Sequence, residues 1–184
     1  MDYIERDIKS LNKEIAREIA ERSDSAESDL KLWREEGPRR AVIVLKAAAG
    51  GHYDLKKLRP VAIALELLAA GVRKHFGAGQ PAAAYGQPAA NIALVTADSF
   101  YVRALALVVT LRDDRLVKIL CEALASISEG YAYPEAPDRA DRLAAFNVAA
   151  YRLGRLLSGN NAASGDLPDE ISKEIENAVF SDPA

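Results

Sequence analysis

Residues 91–111 read NIALVTADSFYVRALALVVTL, a run in which only Asp98, Arg103 and a few hydroxyls interrupt apolar side chains. Alternation at period 2 is hardly seen, so the stretch predicts one long helix with Asn91 as its N-cap. A helix that is apolar almost all round must be covered on more than one side, by its own domain or by another chain.

The flanking sequence predicts more helices. Arg112-Asp113-Asp114-Arg115 turns the chain, and the aspartates there cap the start of the next helix. That helix runs from Leu116 to Glu129 with Leu120, Leu124 and Ile127 inward and Cys121 beside them as a small buried hydrophobe; Gly130 and Pro134 end it. Another helix spans Arg139 to Leu157, and Pro168-Asp169-Glu170 opens a short one to Phe180. Upstream, residues 77–90 form a Gly/Pro/Gln/Ala loop without acids or bases. A helix from Pro60 buries Ile63, Leu67, Leu68 and Val72 and fails near Gly77, with Arg73-Lys74-His75 offsetting the dipole at its C-terminus. Arg39 to Ala49 is an apolar helix closed by Gly50-Gly51. Ile4, Ile8, Leu11, Ile15 and Ile19 make one apolar stripe on a charged first helix, punctuated by Ser23-Asp24-Ser25 and again by Gly37-Pro38. The class is all-α, about seven helices, with an N-terminal helix and linker over 1–36 and the main helical domain over 37–184.

Length and composition exclude several functions. The 184 residues, 49% hydrophobic and 28% charged, suit one soluble globular domain. A net charge of −3 supplies no basic field for a nucleic acid. The single cysteine, Cys121, fits a reducing cytoplasm, and two histidines are too few for a zinc site without carboxylate help. The longest uncharged stretch, Phe76 to Ala97, holds two prolines and reads as a loop running into a helix rather than a membrane span. No nucleophile–base set can be assembled from these residues. Arg39-Arg40 and Lys56-Lys57 could grip a diphosphate or simply be solvated at helix ends.

The order of short motifs adds a resemblance. Ala64-Leu65-Glu66-Leu67-Leu68, then Ala97-Asp98-Ser99-Phe100, then Glu122-Ala123 through Glu129-Gly130, then Arg142-Leu143-Ala144-Ala145-Phe146 and Arg152-Leu153-Gly154 follow one another. They resemble A-x-E-L-I-H, A-G-D-F/Y, E-A-x-x-x-x-x-E-G, K-T-A-x-L-F and R-L-G of the trans-polyprenyl diphosphate synthases over roughly residues 37–180. The resemblance implies a truncated isoprenoid-synthase helical bundle.

Its departures carry as much information. The family's first Asp-Asp-x-x-Asp motif falls on Phe76-Gly77-Ala78-Gly79-Gln80, which has no carboxylate to hold the magnesium that bridges an allylic diphosphate. The second would lie past the last helix, beyond Ala184. The lysine and threonine of K-T fall on Arg142 and Leu143, leaving Arg142 as a weak diphosphate contact. The resemblance therefore implies no catalytic, metal or cofactor residues in this chain, with Mg2+ expected only in a partner. It implies the non-catalytic small subunit of a heterodimeric hexaprenyl- or heptaprenyl-type synthase for quinone side chains, partnered by the catalytic large subunit, or a homodimer when alone. The implied interface is Ala97, Phe100, Tyr101, Ala104, Leu105 and Val108, with Phe100 and Tyr101 also setting product length. A helical scaffold protein with no link to prenyl transfer is the alternative.

Overall fold

The computed structural model describes residues 3–36, 39–49, 54–76, 88–132 and 144–159. Among them are seven helices and no strand: α1 Tyr3–Arg22, α2 Ala26–Glu36, α3 Arg39–Ala48, α4 Leu55–Phe76, α5 Pro88–Val109, α6 Asp114–Ala132 and α7 Ala144–Leu157. The first five residues of the predicted 139–157 helix and the predicted helix to Phe180 lie outside the described residues.

α4 is the axis of the bundle. Thirteen of its positions from Leu58 to Val72 are buried, and its most extensive neighbour is α5, while α1, α3 and α7 also pack on it. An Ala-rich helix suits that role, because small side chains let several helices approach one axis. The first-helix stripe behaves as expected: Leu11, Ile15 and Ile19 are fully buried in the same core that holds Trp33, Leu65, Phe100, Leu120 and Phe146.

Helix starts differ from the sequence expectation in two places. α4 begins at Leu55, five residues before Pro60, because Asp54 caps it: its carboxylate accepts from the Lys56 amide at 3.0 Å and its carbonyl from Lys57 and Leu58. Pro60 sits inside the helix, depriving only the Lys56 carbonyl near an exposed end, where water can replace the missing donor. α5 begins at Pro88 rather than after Asn91. At the other end of α5, Arg112 takes a left-handed turn (φ 53°), and Asp113 caps α6, accepting from the Arg115 amide at 3.1 Å. The capping expectation for this acidic pair holds. Gly130, however, lies within α6 and does not end it.

Two buried carboxylates fasten the helices. Glu66, fully enclosed on α4, accepts from the amides of Arg40 (2.8 Å) and Ala41 (3.1 Å) and from the Arg40 guanidinium (3.1 Å). It thus caps α3 from a distance of 26 residues, and Arg40 is a buried partner rather than a solvated or diphosphate-gripping base. Glu18 on α1 accepts a two-pronged grip from Arg103 on α5, 2.9 Å from Nε and 2.7 Å from Nη2, and a 2.6 Å contact from Arg22. The Arg103 hydrogen bonds outweigh burial and hold the Glu18 carboxyl below its ordinary range. A depressed folded-state value means stability that is complete above the unfolded glutamate's titration and is lost as pH falls through the folded one. Tm should therefore drop as pH goes below about 4.3. Arg103→Ala should lower Tm at pH 7 and narrow the gap between pH 7 and pH 3.5; parallel Tm–pH curves for the two proteins would contradict this.

Candidate functional site

The C-terminal turn of α4 presents Arg73, Lys74, His75 and Phe76; of Phe76–Gln80, where the resemblance puts a metal-binding motif, only Phe76 lies within the described residues. Lys74 is held in a cage of oxygens from the α1–α2 turn. Its Nζ lies 2.6 Å from Asp24, 2.9 Å from Asp29 and 2.5 Å from the Ser25 hydroxyl. Burial raises the Asp24 carboxyl, but hydrogen bonds from Lys74 and Thr96 and the Lys74 charge more than reverse that, leaving it below its ordinary value. Lys74 is shifted up: burial opposes its charge, and both aspartates outweigh that. Both acids are thus engaged in neutralising a resident cation. The cage ties the Ser23-Asp24-Ser25 turn between α1 and α2 to the end of α4.

Beyond Lys74 the site is aromatic. Phe76 stacks on Tyr131 of α6 with centroids 4.1 Å apart and planes 3° from parallel. His75 meets Phe76 edge-on at 4.8 Å and Tyr101 of α5 at 6.1 Å. The buried His75 Nδ1 has no hydrogen-bond partner among the described residues. Tyr101 lies over Gly71, where a Cβ would come within 2.6 Å of its ring; the glycine is what lets α5 seat this ring against α4. Burial, then the Asp98 charge, pushes the Tyr101 phenol well up, so it stays neutral at physiological pH.

These groups do not fit magnesium. Mg2+ needs carboxylate oxygens held together near octahedral geometry. The turn offers two bases, a histidine and a stacked ring, and no group of three His, Cys, Asp or Glu able to hold a metal occurs among the described residues. No step through a metal is derived for this chain.

The residues singled out on α5 divide by face. Ala97, Phe100, Ala104 and Val108 are fully buried in the chain's own core, so their apolar area is already covered within one molecule. Tyr101 and Leu105 are half-buried. The face left open is the opposite one, carrying Ile92, Val95, Val102 and Val109. Cys121 is also corrected: it is exposed, because the buried line of α6 runs through Leu116, Leu120, Ala123 and Ile127, and residue 121 points away from it. Arg142 lies outside the described residues. The residues that sequence reading missed, Glu66 as a cap and Asp24/Asp29 as a lysine cage, depend on pairings 25 to 50 positions apart, of which a single sequence carries no local sign.

No family model and no curated protein matches the chain. Solved structures do. A geranyltranstransferase from Thermotoga maritima superposes with a TM-score of 0.62 at 17% identity, over 97% of this chain and 74% of that one. A geranylgeranyl pyrophosphate synthase from Lactobacillus brevis gives 0.66 at 17%, over 96% of this chain and 59% of that one. A geranylgeranyl pyrophosphate synthetase from Pyrococcus horikoshii gives 0.57 at 16%, over 97% and 62%. This chain therefore spans about three fifths to three quarters of their length. The seven described helices have the all-α isoprenoid-synthase fold.

Proposed function

We propose that this chain is the non-catalytic small subunit of a heterodimeric medium- or long-chain polyprenyl diphosphate synthase, working in the cytoplasm with a catalytic large subunit that supplies the magnesium sites. One observation carries the reading: a fold shared with prenyl diphosphate synthases, combined with an α4 terminus whose following sequence, Phe76 to Ala97, contains no charged residue. The chemistry such enzymes perform needs carboxylates to bring a metal to the diphosphate leaving group. Aromatic stacking and a neutralised lysine stabilise the fold at that point instead.

In this reading the subunit holds its partner folded and helps to set product length. Phe100 is enclosed in its own core, which narrows the length-setting role to Tyr101, whose ring is half-buried and belongs to the aromatic group at the end of α4. A prenyl tail is apolar, so a tunnel reads it by steric stop. Tyr101→Ala, assembled with the catalytic subunit, is expected to shift products to longer chains at preserved turnover; an unchanged distribution would leave the subunit a purely structural role.

Affinity purification of the tagged chain from its native cells tests the proposal. The expected companion carries two Asp-Asp-x-x-Asp motifs. Recovery of a different, reproducible partner without such motifs would support a helical scaffold instead.

A further inference from the structure

The outward face of α1 is a ridge of cations. Arg6, Lys9, Lys13 and Arg17 recur at steps of 3, 4 and 4. At about 3.6 residues per turn they fall within about 80° of arc and run about 16 Å along the helix. All four are exposed, the Arg6 and Arg17 side chains by 75 and 65%. Lys9 and Lys13 have no ion pair among the described residues. The acids of α1 lie off the ridge. Asp7 and Glu18 are buried, Glu14 pairs with Arg59 of α4, and Glu5 and Glu21 flank the ridge on opposite sides. Asp7 approaches Arg6, and Glu21 approaches Arg17, at 3.7 Å, too far to neutralise an exposed guanidinium. The Arg59–Glu14 pair also sets the start of α4 beside the middle of α1. There Lys56 and Lys57 add two exposed cations with no ion pair among the described residues. In a chain of net charge −3 this is a local segregation of charge.

We propose that this ridge docks the protein on an anionic lipid surface, with α1 lying flat against the headgroups. Charge and shape select that occupant. A straight row of cations brings every charge to one plane, and a leaflet rich in anionic lipid attracts each basic residue held near it. A leaflet meets only the face turned toward it. A long nucleic acid extends past the ridge and meets the acidic remainder of the surface, which repels it. Tyr3, 50% exposed, stands one turn before Arg6 and joins an apolar ring to a hydroxyl, a combination that settles at a lipid–water boundary. The aliphatic stems of the lysines and arginines settle there too. The helix does not insert. Its apolar stripe of Leu11, Ile15 and Ile19 is committed to the core, so attachment is electrostatic and is released by salt. α5 meets α1 through Glu18, on the inner side, so the ridge stays open whatever covers α5. The inference stands on α1 and holds whether or not a synthase partner exists.

Co-sedimentation of the full purified chain with vesicles is the test. At low salt the chain should pellet with vesicles of phosphatidylcholine and phosphatidylglycerol in equal parts, and not with phosphatidylcholine alone. High salt should release it. Joint Lys9→Glu and Lys13→Glu substitution, at exposed positions, should weaken binding at least about tenfold with unchanged helical circular dichroism. The neutral pair Lys9→Gln and Lys13→Gln should weaken it less. Lys118→Glu, which reverses an exposed charge on α6, should leave it as it was. No binding to the anionic vesicles at low salt, or equal binding to phosphatidylcholine alone, would overturn the proposal. So would binding that Lys9→Glu with Lys13→Glu leaves intact, or that Lys118→Glu lowers equally. Tighter binding to a DNA duplex than to the anionic vesicles at the same salt would assign the ridge to nucleic acid and overturn it as well.

Discussion

Glu66→Ala should remove about 3–5 kcal/mol of stability, against the roughly 5–15 kcal/mol that a domain of this size has in total. The variant is expected to be partly unfolded or insoluble at 37 °C. Glu66 is fully enclosed and serves three donors, two of them amides in the first turn of α3. Removing it strands the Arg40 guanidinium, itself 4% exposed, as an unpaired buried charge and leaves two helix amides unsatisfied. Glu66→Gln should cost less, about 1.5–3 kcal/mol, because a carboxamide oxygen still accepts from the amides while the charge opposite Arg40 is lost. Denaturant unfolding measures both. Equal stability of the wild type and Glu66→Ala would mean that the cap does not anchor α3.

The second large effect is an opposition of sign between two glycines. Gly154→Ala should destabilise by about 2–3 kcal/mol, whereas Gly130→Ala should stabilise by up to about 1 kcal/mol. Both lie within helices, so intrinsic propensity favours alanine at each. At Gly154 an added methyl meets the Val44 carbonyl and comes within 2.8 Å of the Ala47 side chain; α7 and α3 are packed backbone to backbone, and no rotamer relieves that contact. At Gly130 nothing lies within 4 Å. Changes of the same sign at both sites would contradict the close α3–α7 approach.

Much of the fold is legible because helices leave periodic marks. The α1 stripe through Leu11, Ile15 and Ile19 and the apolar run of α5 each define an element without tertiary help. Boundaries were harder. Pro60 resembles a helix start and Gly130 a helix end, but Asp54 supplies a stronger cap and α6 carries its glycine through. The faces of α5 were the least legible. Apolar residues surround it, so the sequence cannot say which side its own domain covers; packing against α4 settles that, burying Phe100, Ala104 and Val108 and leaving the valine stripe open. At the end of α4, the want of carboxylates was readable residue by residue, whereas the Lys74 cage and the Phe76–Tyr131 stack form only when distant segments meet.

An elongation assay decides whether this chain, with its prenyl-synthase fold, works as a partner's subunit. Homogeneous chain would be incubated with magnesium, an allylic diphosphate and isopentenyl diphosphate, alone and after mixing with the co-purified large subunit. No product is expected from the chain alone, and the mixture should show magnesium-dependent elongation exceeding that of the large subunit by itself. Magnesium-dependent elongation by this chain alone, abolished by a chelator and restored by the metal, would contradict it.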